Sequence, residues 1–414
     1  MKVYDAASIR NVALVGHSGS GKTQLASAIL ADAGMINRFG KVDEGTTVTD
    51  FDEEEIARKH TLSASVAYAE WNKQKINLID TPGMGNFFAD ARAALNVADA
   101  AIVVVDAVGG VMVQTEKIWL AAEELGMPRL VVVNRLDRDR ASLERTLTSL
   151  RESLNRTVIP IQLPIGEESD FRGVVDLVSK KAYIFQADES GKSTEGAVPA
   201  DMSAAVDSAR EALIEMVAEN DEHLMEKFFE AGTLTDDELT AGLRSATLGA
   251  KLFPLVCASA LRNIGVAQLL DAVLAFLPSP VDRPFKGIDK AGAEVARPAD
   301  EKGALSAFVW KTIADPFAGR ITMFRVVSGA VKADSTVHNK SKDAPERIGL
   351  HHAGHHAEQR DAAGERIGDR LPHERGDRRL VVRGACHGGA VFIETFERPV
   401  GWRGQVRKHR VEHV

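Results

Sequence analysis

At 414 residues, 44% of them hydrophobic and 27% charged, the chain has an ordinary globular composition and the length of roughly two to three domains. Its two cysteines, Cys257 and Cys386, lie far apart, which argues against a disulfide or zinc scaffold and for a reduced, cytoplasmic protein. No apolar run has the length of a membrane span, the start carries no secretory pattern, and a formal net charge of −8 excludes gripping DNA or RNA by bulk charge. That charge is uneven: residues 351–414 hold 12 Lys+Arg against 9 Asp+Glu, leaving −11 on the first 350.

The first element, Asn11–Val15, is a short apolar run that reads as a buried parallel strand. Gly16–Thr23 follows as GHSGSGKT, and Gln24–Ala33 then offers helix formers without Pro or Gly. Strand, glycine turn and helix together make this a phosphate loop rather than an ordinary turn. Gly16, Gly19 and Gly21 let the backbone approach a polyphosphate, so that N–H groups from His17, Ser18 and Ser20 can face it. The helix adds the positive end of its dipole. Lys22 would neutralise phosphate oxygens, and the Thr23 hydroxyl would hold Mg2+.

Asn37–Lys59 is polar and without a period, and reads as a long surface loop of the kind that senses a γ-phosphate. Strands are expected at Ser63–Ala69 and Lys75–Ile79, the second ending in Asp80-Thr81-Pro82-Gly83. An aspartate at the carboxyl end of a strand suits nucleotide-bound Mg2+, and Gly83 N–H suits the γ-phosphate; in isolation the tetrapeptide is equally a plain turn. A helix at Asn86–Ala98, a strand at 101–106 and a helix near Thr115–Leu125 come next, the last with Ile118, Ala121, Ala122 and Leu125 on one face. Leu130–Val133 then leads into Asn134-Arg135-Leu136-Asp137. Apolar strands alternating with amphipathic helices indicate an α/β fold with a parallel sheet covered on both faces.

Asn134-Arg135-Leu136-Asp137 resembles the Asn-Lys-x-Asp guanine motif of GTPases; a charged helix cap is the plainer alternative. Asp137 can accept two hydrogen bonds from guanine, Asn134 would tie this loop to the phosphate loop, and Arg135 can stack on the base in place of lysine. The strand Leu252–Cys257, whose buried thiol reads as inert, runs into Ser259-Ala260-Leu261. This stretch resembles the loop that contacts the guanine carbonyl, and a helix with Leu270, Val273, Leu274 and Leu277 on one face follows it.

More than a hundred residues separate the two guanine loops, enough for an inserted α+β subdomain. It has strands near Val158–Leu163, Gly173–Leu177 and Ala182–Phe185 and a helix with Val206, Ala209, Leu213, Met216 and Val217 on one face. The order of motifs, Phe171–Leu177, Arg262–Val266 and Asp315–Gly329 are together similar to elongation factor G, over about residues 8–350. Gly16 points to the divergent second type of that factor.

The resemblance implies a P-loop GTPase domain at 1–157 and 251–283, an inserted subdomain at 158–250 and a partial translation-factor β-barrel at 284–350. It implies GTP/GDP and Mg2+ as cofactors, Thr61 as a further metal ligand beside Thr23 and Asp80, and the ribosome as partner of a cytoplasmic monomer. It also marks a departure, since the family's water-orienting histidine is Met84 here, and Ser18 and His60 stand at the two apolar gate positions. Slow hydrolysis is therefore expected; His60 swinging in to replace the imidazole is a bolder option. The chain further lacks that factor's later domains, so a weakly hydrolysing, ribosome-associated regulatory module or a truncated gene product is the alternative. Residues 351–414, with 8 of the 12 His, 11 Arg and one Lys, read as an atypical tail, consistent with a shifted reading frame; His351-His352 and His355-His356 are weak metal candidates.

Overall fold

The computed structural model describes residues 4–154, 158–288, 293–315, 319–331 and 335–350, with the backbone of 379–383 and 392–396. The histidine pairs of the tail, Cys386 and residues 316–318 lie outside them. Two compact units divide the described residues, one from residue 4 to Phe308 with Val327–Ala330, the other holding Val309–Val326 and the strands beyond Val331.

In chain order the first unit begins with β1 (Ile9–Val15), α1 (Lys22–Asp32), α2 (Glu53–Arg58), β2 (Ser65–Trp71) and β3 (Gln74–Asp80). It continues with α3 (Phe88–Val97), β4 (Ala100–Asp106), α4 (Val113–Glu124), β5 (Arg129–Asn134), α5 (Leu143–Leu154) and β6 (Val158–Pro160). An antiparallel sheet follows, from β7 (Gln162–Ile165), β8 (Gly173–Asp176), β9 (Lys181–Phe185) and β10 (Ser193–Ala197). Then come α6 (Ser203–Ala218), α7 (Glu222–Ala231), α8 (Asp236–Leu248), β11 (Phe253–Cys257), α9 (Val266–Phe276), β12 (Phe285–Ile288) and β13 (Glu294–Arg297).

The main sheet has seven strands in the order β2-β3-β1-β4-β5-β11-β6, parallel except for β2 at one edge. Every residue of β1, β4, β5 and β11 is buried, as continuous apolar runs in a doubly covered sheet require. The register aligns strand ends. Leu14 pairs with Asp80, Val15 with Val103, Asp106 with Asn134 and Cys257 with Val133. The loops after β1, β3, β4, β5 and β11 therefore all leave from one carboxyl edge, where open α/β sheets bind ligands.

Two segments differ from the sequence expectation. The polar stretch 37–59 is not all surface, because Thr47, Thr49, Asp50 and Glu55 are buried. The capping box of α2, Asp52 with Glu55, turns the chain inward, and Glu55 Oε1 accepts from the backbone of Leu62 at 2.9 Å and Ser63 at 3.1 Å. The stretch 158–163, expected as one strand, is two. β6 extends the main sheet and β7 opens the antiparallel one, while Ile161 N between them still donates to Leu255 O at 2.9 Å. The insertion shares one continuous hydrophobic core with the nucleotide fold, through Ile165, Val175, Leu213, Leu243 and Val256.

The second unit consists of additional β-sheets. β14 (Ser306–Asp315) pairs with β15 (Gly319–Ser328), and β16 (Thr336–Asn339), β17 (Ala344–Leu350), β18 (Arg379–Arg383) and β19 (Phe392–Phe396) form a four-stranded sheet. Phe324, Val331 and Ile348 make its small core.

One buried cation joins three elements of the main fold. The Arg129 guanidinium lies 4.3 Å from the Trp119 ring and 4.4 Å from that of Phe253, and it donates to the carbonyls of Met127 at 3.1 Å and Trp119 at 3.3 Å. Burial pushes its pKa down to about 10, yet it stays charged at neutral pH. Arg129→Ala removes both the stacking and the filling volume and is expected to cost about 3 kcal/mol; thermal and denaturant unfolding followed through Trp119 fluorescence measure it.

Candidate functional site

The phosphate loop opens directly off β1. Gly16, Gly19 and Gly21 have φ of +143°, +79° and +89°, conformations that glycine adopts without strain. At two of them space is also short, since a Cβ on Gly16 would meet Val104 O at 2.3 Å and one on Gly21 would meet Asn134 Nδ2 at 2.4 Å. Lys22 at the start of α1 is buried and donates to the carbonyls of Gly16 at 3.2 Å and His17 at 2.9 Å, so its ammonium is folded back over the loop.

Asp80 ends β3 fully buried, and the Asp-Thr-Pro-Gly segment closes onto the phosphate loop. Thr81 Oγ1 donates to Leu14 O at 2.6 Å, and Ser18 N donates to Gly83 O at 3.0 Å. A Cβ on Gly83 would stand 2.5 Å from both Lys22 Nζ and Ser18 N, so no larger residue fits. Pro82 is buried beside it. The inward-turned loop completes the group. Thr23 and Thr61 share a hydrogen bond of 2.8 Å between their hydroxyls, Thr61 donates to Asp50 Oδ1 at 2.9 Å, and Thr49 donates to Asp80 Oδ2 at 2.9 Å.

These groups are tense electrostatically. Desolvation pulls Lys22 down to about 8 against the attraction of Asp80 and Asp50. Desolvation, then the neighbouring Asp80 charge, pushes Asp50 up to about 7, and burial raises Asp80 as well. Asp80 Oδ1, Ser20 Oγ and His17 Nδ1 are buried without a protein partner. A divalent cation with bound phosphates fits this donor set of one carboxylate and two hydroxyls. Thr23, Thr61 and Asp80 would hold it, and among the described residues no cluster of three or more His, Cys, Asp or Glu offers a rival site.

At the other end of the cleft, Asn134 connects three loops. Its Nδ2 donates to Ser20 O at 2.8 Å, and its Oδ1 accepts from Ala260 N at 2.9 Å. Arg135, at φ +68°, donates to Gly19 O and to Asp106 Oδ2 at 2.7 Å, so the guanidinium that takes the place of a lysine is fixed by the phosphate loop and the end of β4. Asp137 is half-buried. Leu261 is half-buried in the loop Ser259–Ile264, which two backbone hydrogen bonds of 3.0 Å between its ends close. Cys257 is buried, and desolvation raises its thiol pKa far above the ordinary range, so it is inert.

Among the residues expected from sequence, the structure thus joins Ser18 to Gly83, Thr23 to Thr61, and Asn134 to Ser20 and Ala260 by hydrogen bonds. Met84 and His60 take no part in the hydrogen bonds that join them. Met84 is 37% exposed and lines a small cavity with Gly16, Gly83, Phe88 and Gln114. His60 is exposed in the turn after α2. Sequence reading passed over Thr49 and Asp50, which sit in a stretch without periodicity, and Asp106, whose place at a strand's carboxyl end was the same signal that marks Asp80.

Comparison with known proteins agrees with this geometry. The profile of the family described as the elongation factor Tu GTP binding domain matches residues 7–279. The chain belongs to that family. Residues 7–279 are therefore a GTP-binding domain of that type. A crystal structure from Thermus thermophilus is similar to the chain with a TM-score of 0.74 and 31% identity, over 96% of this chain; the chain spans 55% of the length of that protein.

Gly21→Ala is expected to weaken nucleotide binding by about tenfold or more, since it meets both the positive φ and the Asn134 amide, while helical content stays unchanged. Equilibrium titration with a fluorescent GDP analogue, beside circular dichroism, checks it. Lys22 gives a pH dependence. Its folded pKa near 8 lies below the ordinary lysine value of 10.5, so the ligand-free fold gains stability as pH rises from about 8 toward 10.5. Nucleotide affinity moves the opposite way and falls above pH 8, because the phosphate requires the ammonium form; the same titration carried from neutral to alkaline pH measures it.

Proposed function

We propose that the chain binds GTP with Mg2+ and hydrolyses it to GDP slowly, as a ribosome-associated GTPase of the elongation factor G type. The observation that supports this reading is Asn134, whose one amide joins the phosphate loop to the guanine loop and so fixes the spacing between them. Asp137 gives guanine over adenine by accepting from its ring N–H and exocyclic amine, and the loop Ser259-Ala260-Leu261 borders the carbonyl side. Lys22 and Gly83 hold the γ-phosphate end, and Thr23, Thr61 and Asp80 hold Mg2+. The metal, when bound, neutralises charge building on the phosphate oxygens during in-line attack by water.

Phosphoryl transfer depends on positioning and charge stabilisation, and Met84 can neither donate nor accept a hydrogen bond usefully where a histidine would orient the water. His60 is exposed and would have to swing inward to substitute. A GTP-dependent binding module with almost no turnover is the second reading, and Met84 is the residue that favours it.

Two measurements test the proposal. Competition against a labelled guanine nucleotide is expected to show GTP and GDP binding and ATP excluded; preference for ATP would reject it. Single-turnover GTP hydrolysis is expected to be slow, with a gain of about tenfold or more in Met84→His, largest when ribosomes are present. No turnover in either protein, with or without ribosomes, would favour the binding module.

A further inference from the structure

The inserted subdomain meets the nucleotide fold at particular places. Arg262, in the loop Ser259–Ile264, sends its Nη1 to Phe171 O at 3.1 Å and to Ser169 O at 3.3 Å, both in the turn between β7 and β8. From the same turn, Glu168 Oε1 accepts from Arg140 N at 2.8 Å, in the loop that follows Asp137. The next residue of the guanine loop, Asn263, is 2% exposed and held at φ +54°. Its Nδ2 donates to Asp32 Oδ1 at 2.6 Å at the end of α1 and lies 3.4 Å from Glu189 O, at the tip of the β9–β10 hairpin.

That tip is built for close approach. Gly191 passes over the Asp32–Asn263 pair at φ +71°, where a Cβ would stand 2.4 Å from Asp32 Oδ1 and 2.5 Å from Asn263 Nδ2. Glu189 fixes the tip further through a 2.7 Å ion pair with Lys41. The burial of Asp32 raises its pKa to about 6, which fits a carboxylate closed off by the glycine. Both loops that would hold guanine are thus braced from outside by the insertion, through different residues.

From this, and resting on the guanine-nucleotide reading above, we propose that the inserted subdomain is the outer buttress of the guanine pocket. Arg262, Asn263 and Gly191 are positioning residues that govern how fast nucleotide leaves. They touch no nucleotide themselves. They hold the backbone of Ser259–Leu261 and the loop after Asp137 in place, so loosening them raises the frequency with which the guanine end opens. The brace acts on the base, which GDP and GTP share, so it sets retention of both alike.

Stopped-flow release of fluorescent GDP and GTP analogues from the full chain tests the proposal, with Phe229→Ser, on an exposed face of α7, as a control that leaves release unchanged. Arg262→Ala and Gly191→Ala are each expected to speed release about tenfold, by the same factor for both nucleotides, while association rate and thermal midpoint stay near wild type. Arg262→Lys recovers part of the loss. Should Gly191→Ala not fold, Glu168→Ala, which frees the other guanine loop, takes its place with the same expectation. Release within twofold of wild type in every variant, or acceleration confined to one nucleotide, would overturn the buttress. A wild-type chain that retained no guanine nucleotide would overturn the functional reading along with it.

Discussion

One side-chain amide fixes the distance on which the site depends. Asn134 leaves the end of β5 fully buried, gives its N–H to the phosphate loop at Ser20 O and takes one from Ala260 in the guanine loop. Both bonds are made in the dry interior, where an unpaired amide would cost about 1–3 kcal/mol for each missing partner. No other residue type of that length carries both a strong donor and an acceptor for the two loops. The glycine it packs against follows from the same fact, because anything larger than hydrogen at position 21 would collide with the Asn134 amide. Sheet register places the residue, and the residue then places the loops.

At the opposite end the constraint is charge. Lys22, Asp50 and Asp80 are packed together in the interior; Thr61 and Thr23 link Asp50 to the end of the phosphate loop, and Thr49 links Asp80 to the inward-turned segment. Burial is the main reason the carboxyl pKa values climb and that of the lysine falls; the Asp80 charge adds to the rise of Asp50, while the two carboxylates work against the fall of Lys22. Such a group is at its worst when dry and without a counter-ion. A divalent cation with bound phosphates supplies the positive charge the carboxylates lack and the negative charge the ammonium lacks, so the electrostatic discomfort of the bare protein is the complement of the ligand.

The parts of this arrangement that were legible in the sequence are those with local signatures. A strand followed by GHSGSGKT, an aspartate at the end of a strand and Asn-x-x-Asp after a buried run each announce their chemistry within a short stretch of chain, and strand order then follows from βαβ connection rules. Thr49 and Asp50 had no such signature, because their burial comes from a capping box in α2 that pulls a polar segment inward. The break at Ile161 was equally hidden, since an apolar run does not say which of two sheets each half joins. Arg262 and Asn263 were visible as residues of a family-like loop but not as anchors, because their partners lie far away along the chain, Asp32 by 231 positions.

The place of the insertion in the sheet sets most of its braces beside the guanine loop, while its hairpin tip also reaches Asp32 at the end of α1 and Lys41. The chain leaves the main sheet after α5, adds β6 beside β11 at the sheet's far edge, builds four strands and three helices, and returns as β11. β11 is the strand that runs into Ser259–Ile264, so the returning chain delivers the guanine loop directly beneath the subdomain it has just completed. The phosphate loop hangs from β1, three strands away in the order β1-β4-β5-β11. The shared core through Ile165, Val175 and Val256 fixes the insertion to the sheet. Material inserted at this point in the topology therefore acts first on the loop that β11 delivers.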